Sequence, residues 1–158
     1  MSTDDDIFLA AGGPLGETAE WLAEVLRLEA VEGPELADNT YLFRGRARTV
    51  DRELVFVIEP NTYGEIDPEP EDVSAIDRYT GVVDVRLLGR KDEELQAREA
   101  RAVFDELADS RPDVAIILSH APCLMIAAYL PGAGVCTFPP GTTLDVPDDD
   151  VWGPWVVT

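Results

Sequence analysis

The run Val114-Ala115-Ile116-Ile117-Leu118 has no polar position, so a strand built on it has no face to give to water. It has to be covered on both sides, and the chain supplies one cover immediately upstream. Ala100, Val103, Phe104, Leu107 and Ala108 recur at helical spacing, Asp92 stands where an N-cap is wanted, Glu94 and Arg98 make an i, i+4 pair, and Arg111-Pro112 stops the run. A similar unit opens the chain. Ile7 to Ala11 reads as a buried strand and Gly12-Gly13-Pro14-Leu15-Gly16 as its turn; Leu15, Ala19, Leu22, Val25 and Leu26 then form the apolar stripe of a helix that Gly33-Pro34 ends. Two such strands beside patterned helices predict a single α/β domain: a mixed β-sheet of about seven to nine short strands with three or four helices packed on it.

The remaining segments read as shorter pieces. Tyr41 to Ala47 and Glu53 to Glu59 alternate as the arms of a hairpin, and residues 60 to 72, with Pro60, Gly64, Pro68 and Pro70, form a loop. A short helix is expected from about Glu71 to Tyr79. Val83, Val85 and Leu87 alternate with Asp84 and Arg86, the pattern of a strand wet on one face. The Ala, Leu and Met content of Pro122 to Leu130 predicts a helix, whereas Gly134 to Phe138, Thr142 to Val146 and Val151 to Val157 read as antiparallel edge strands.

Of the 158 residues 46% are hydrophobic, enough to bury a core, yet 32 Asp and Glu against 12 Lys and Arg leave a formal charge of -20. Nucleic-acid binding is excluded on this balance, because the one basic grouping is Arg44, Arg46, Arg48 and Arg52. No apolar run approaches the roughly 18 residues of a membrane span, and the start Met1-Ser2-Thr3-Asp4-Asp5-Asp6 has the wrong charge for a signal peptide, so a cytoplasmic protein is expected. Lys91 is the only lysine. Dispersed carboxylates with almost no lysine suit a surface in molar salt, where the Debye length is about 3 Å; the rival reading is an acidic face that docks on a basic protein.

Chemistry has few carriers here. The single histidine, His120, directly follows the apolar run, with Ser119 and Cys123 beside it, and Asn61 with Glu59 ends another strand. Were Ile7 to Ala11 parallel to that run, Gly12, Gly13 and Gly16 would open at the same sheet edge, and the following helix N-terminus would offer N–H groups to a small anionic molecule. The expectation is then anion or small-molecule binding or hydrolysis, with His120 as general base and the glycine turn holding negative charge. The plainer alternatives are a strand-end histidine and a tight turn. The turn lacks the Gly-x-Gly-x-x-Gly spacing, so no cofactor is implied.

Cys123 and Cys136 lack metal-ligand spacing and are expected as buried reduced thiols, while the acids from Glu65 to Asp72 lack the EF-hand pattern. Trp152, Trp155, Val156 and Val157 are either a last core strand or a homo-oligomer contact. The competing class is therefore a non-catalytic interaction, regulatory or oligomer-forming protein.

The stretch from Leu95 to Leu130 (helix, Pro112, apolar strand, Ser119-His120, short apolar segment) resembles the second-histidine region of the histidine phosphatase family. Pro139-Pro140-Gly141-Thr142-Thr143 followed by Trp152 to Val157 resembles its closing strands. That family carries Arg-His-Gly after its first strand, where this chain reads Ala10-Ala11-Gly12. Phosphohistidine chemistry is therefore not implied.

Overall fold

The fold is described from a computed structural model covering residues 4–32, 37–121 and 123–158. Eight strands form one sheet: β1 (Asp5–Leu9), β2 (Glu29–Ala30), β3 (Tyr41–Arg46), β4 (Glu53–Pro60), β5 (Gly81–Leu87), β6 (Ile116–His120), β7 (Leu124–Leu130) and β8 (Gly134–Thr137), in the order β2-β3-β4-β5-β1-β6-β7-β8. Helices α1 (Leu15–Leu26) and α2 (Glu93–Ser110) pack on one face, and α3 (Asp149–Trp152) lies in the C-terminal segment. The α/β class and the strand and helix numbers are as the sequence predicts.

The pairing is not. β1 runs antiparallel to both β5 and β6, and every other described pair is antiparallel too, so the sheet is not mixed. The two flanking strands are parallel to each other and joined by α2, and the N-terminal strand is inserted between them. Burial on both faces, which suggested parallel neighbours, has another origin here. Ile7, Leu9, Phe56, Val83, Ile116 and Leu118 face α1 and α2, with Leu22, Val103 and Phe104 among their contacts. Phe8, Val82, Ile117, Met125 and Ala128 face Ile76 and Tyr79 of the loop after β4 and Phe138, Leu144, Trp152 and Val156 of the C-terminal segment.

Four predicted elements take other forms. The helix expected over Pro122 to Leu130 is not found among the described residues: Leu124–Leu130 is strand β7, a hairpin partner of β6 whose Met125, Ala127 and Ala128 are buried. A short apolar run carries no period of its own, and here the neighbouring edge decides. Glu71 to Tyr79 forms only a 3-10 turn at Pro70–Asp72. Thr142 to Val146 keeps two isolated bridges, and Val151 to Val157 is not a strand but α3 followed by a 3-10 turn at Gly153–Trp155. Asp149 and Asp150 in the first turn suit the positive end of that helix. Trp152 is 5% exposed and Val156 is buried with it in the core. The helix β7 replaces was part of the phosphatase resemblance. The Gly33-Pro34 stop lies outside the described residues.

Helix α2 starts as its sequence dictates, Asp92 accepting the Leu95 N–H at 3.1 Å. Arg98 donates to Thr49 Oγ1, and no ion pair to Glu94 is seen among the described residues. The β3–β4 turn is fastened to both helices by polar groups. Glu99 is 0% exposed and accepts the backbone N–H groups of Arg48 and Thr49, each at 2.6 Å, and the Thr49 hydroxyl. Arg48 pairs with Glu106 at 2.6 Å and donates to the Leu26 carbonyl at the end of α1 at 2.8 Å. Among the described residues no helix is long and apolar enough to cross a membrane.

Replacing Glu99 by Ala leaves the Arg48 and Thr49 N–H groups of the β3–β4 turn without their acceptor and empties a fully buried site. Urea unfolding is expected to show a loss of about 2–4 kcal/mol, and a loss below about 0.5 kcal/mol contradicts this fastening.

Candidate functional site at the acidic end of the central strands

Because β1 is antiparallel to β6, Asp5 stands opposite His120 and the start of β1 meets the end of β6. Asp5 is 2% exposed and lies under α2. Its Oδ1 is 2.8 Å from His120 Nδ1, and its Oδ2 accepts from Gln96 Nε2 at 2.9 Å. Gln96 is itself locked: its amide donates to the Val85 carbonyl at 2.7 Å and its oxygen accepts the Leu87 N–H at 2.7 Å. Burial raises the Asp5 pKa, while the bonds from Gln96 and His120 act the other way. With Asp5 as acceptor the ring proton of the half-buried imidazole sits on Nδ1, leaving Nε2 as the acceptor nitrogen. Among the described residues no hydroxyl or thiol hydrogen-bonds to that ring.

One residue further on, the strand pleat turns the next carboxylate to the opposite face. Asp6 stands between Asp84 of β5 and Ser119 of β6, and Asp84 in turn faces Val57 of β4. Burial, and after it the carboxylates of Asp84, Asp4, Asp5 and Glu59, push the Asp6 pKa up to about 7. Asp84 rises to about 6, again chiefly through burial and then Asp4, with Arg86 opposing. Arg86 is drawn mainly to Asp4, at 2.9 Å, and stands 3.8 Å from Asp84. Asp6 makes no ion pair among the described residues. Like charges directly opposite on adjacent strands destabilise a sheet, so this row is a local conflict that folding alone does not require.

Asp6 also lines a cavity of about 290 Å³ with Phe8, Tyr63, Glu65, Asp72 and Cys123. Tyr63 is 63% exposed and stands edge-on to Phe8, ring centroids 6.4 Å apart. Cys123 is an exposed free thiol, not the buried one expected, and Cys136 is partly exposed. Two residues before Cys123, Ala121 holds φ at 38°, an uncommon conformation for a residue with a side chain. No three His, Cys, Asp or Glu side chains converge on a metal position among the described residues.

Of the remaining sequence candidates Ser119 lies at this end and the others lie apart from it. Ser119 is 2% exposed, beside Asp6 and on the face opposite the Asp5–His120 bond. Gly12, Gly13 and Gly16 follow the far end of β1, a strand's length from His120, since the parallel alignment that would have joined them does not occur. Gly13 needs its φ of 85°, and a Cβ there would stand 3.3 Å from the Glu17 carboxylate. That carboxylate in the first turn of α1 already supplies negative charge to the helix N-terminus. Gly16 makes room for Tyr41, whose hydroxyl would lie 3.0 Å from a Cβ, and a Cβ at Gly12 would meet nothing within 4 Å. The Asn61 amide donates to the Ile76 and Tyr79 carbonyls and its oxygen accepts the Tyr63 N–H, so it holds the loop.

Sequence reasoning overlooked Gln96 and Glu99, although both fall on the apolar stripe of α2 with Ala100 and Val103, a spacing that marks them as buried. Asp6 and Asp84 were hidden differently: one reads as part of a solvated N-terminal run, the other as the wet side of a strand. No protein-family profile, curated protein or solved structure matches the chain.

A carboxyl whose pKa rises from 3.8 to about 7 on folding binds more protons folded than unfolded, so its contribution to stability is full below about pH 4 and is lost as pH rises through about 7. Asp6→Asn removes that loss. At pH 8 the variant is expected to be more stable than the parent by about 2 kcal/mol, less than the full shift implies because the carboxyl retains solvent contact. Thermal unfolding from pH 4 to 8 checks this, and equal pH profiles for variant and parent contradict it.

Proposed function

We propose that this chain is a non-catalytic interaction protein that works through the uncovered half of its sheet. One observation carries the reading. Leu42 of β3 and Val55 and Val57 of β4 alternate with Phe43, Leu54, Phe56 and Ile58, which face the helices; they therefore point the other way, and neither core includes them. They form a contiguous apolar strip, since Leu42 is opposite Val57 and Val55 is its neighbour along the strand. Arg44 and Arg86 border it at one end, and Glu59, Asp84 and Asp6 at the other. On the loop after β4, Tyr63 and Ile66, the latter 95% exposed, add apolar surface. An apolar centre with a charged rim is the make-up of a protein interface. Hydrolysis at His120 has less support, since its ring has Asp5 as its one described partner and the glycine turn lies at the other end of the sheet.

The reading extends to the solvent. Scattered exposed acids such as Glu20, Glu24, Asp105 and Asp109 suit a cytoplasm of high salt, where screening removes their mutual repulsion. The thermal midpoint is then expected to rise from dilute buffer to molar KCl, and a flat or falling midpoint sinks this part.

Val57→Arg tests the interface. A strip kept apolar for a partner tolerates the charge, so the variant's thermal midpoint is expected within about 2 °C of the parent's. A loss above about 2 kcal/mol in urea unfolding means that the strip packs within the fold, which overturns the reading.

A further inference from the structure

We infer that the partner seated on this face is a basic protein that lays an arginine or lysine side chain into the cavity between Asp6 and Tyr63. This rests on the interaction reading above and adds the chemistry of the partner. The cavity is lined by the apolar Phe8 and Ile76, the ring of Tyr63 and the acidic residues Asp6, Glu65 and Asp72. Asp77 is already engaged, accepting the N–H groups of Ser74 and Glu65. Asp6 makes no ion pair among the described residues, and Arg86 on the same face is held by Asp4 and Asp84.

The arrangement discriminates among occupants. A metal ion needs three or more ligands drawn together, which the described residues do not provide. A guanidinium or ammonium on a flexible stem reaches carboxylates that stand apart, and a guanidinium stacks on an aromatic ring such as the exposed Tyr63. The apolar stem fits along Phe8 and Ile76. A second copy of this chain brings another charge of -20, and nucleic acids and anionic membranes are repelled in the same way. A basic protein alone gains from both the apolar strip and the unmatched acids next to it. Docking a cation there also returns Asp6 to its ionised form, so binding releases a proton near neutral pH.

A fluorescent oligo-arginine peptide titrated at pH 8 in dilute buffer tests the inference. It is expected to bind the full chain and to lose at least about tenfold in affinity with Asp6→Asn/Asp84→Asn. The control Glu20→Gln/Glu24→Gln removes the same charge from the outer side of α1, where both residues are exposed, and is expected to change affinity by less than about twofold. Thermal unfolding confirms that both variants are folded. No binding to the parent, or equal losses in the two variants, overturns the inference: the attraction is then absent or general to a polyanion, and the Val57→Arg result stands on its own. A dimer by sedimentation that Val57→Arg disperses also overturns it, by assigning the face to a second copy.

Discussion

β1 lies in the middle of the sheet and runs against both of its neighbours, and the placing of every polar group of interest follows from that insertion. The amino end of β1 meets the carboxyl ends of β5 and β6, so an acidic N-terminal segment is drawn into the part of the molecule where α2 begins and β7 departs. The strand pleat then separates adjacent carboxylates onto opposite faces. Asp5 goes under α2 and Asp6 to the loop side, and the two receive opposite treatment.

Burying a carboxylate is costly unless hydrogen bonds replace its water. Asp5 has that replacement in Gln96 and His120, and Gln96 is held by the edge of β5 in turn, so the whole group behaves as one structural unit. Glu99 repeats the solution two-thirds of the way along the chain, with the backbone of the β3–β4 turn as donor. Asp6 has no such donors among the described residues and shares its face with Asp84 and Glu59; its pKa moves toward neutrality instead. The chain thus has the means to satisfy a buried acid and applies them at two places while leaving a third bare.

How far this was readable in the sequence depended on periodicity. Helix α2 with its Asp92 cap, the hairpin from Tyr41 to Glu59 and the wet side of Val83 to Leu87 were legible because each repeats at one spacing over several turns or pleats. β7 and α3 were not, because Leu124 to Leu130 and Asp149 to Trp152 are too short to show a period and take their form from what they pack against. Strand direction was also hidden. Val114 to Leu118 announces burial on two faces, but the same burial follows from helices on one side and a folded-back tail on the other, and that ambiguity is what put His120 and Gly12 at one edge when they lie at two. The lone histidine stands out in the sequence, whereas Asp5, its hydrogen-bond partner, is hidden in Met1-Ser2-Thr3-Asp4-Asp5-Asp6, a run that reads as solvated charge until its strand is known.

The acid excess has the same ambiguity at a larger scale, and burial separates its two components. Salt screens exposed carboxylates efficiently, so molar salt removes most of the repulsion among residues such as Glu20, Glu24 and Asp109. It screens partly buried charges much less, and Asp6 and Asp84 sit half-buried on adjacent strands, with Arg86 the one guanidinium that pairs with either among the described residues. Their repulsion therefore persists in any solvent that suits the rest of the surface. It is relieved by taking up a proton or by direct contact with a cation, and the second route is the one that an apolar strip and an aromatic wall beside the carboxylates equip this face to use.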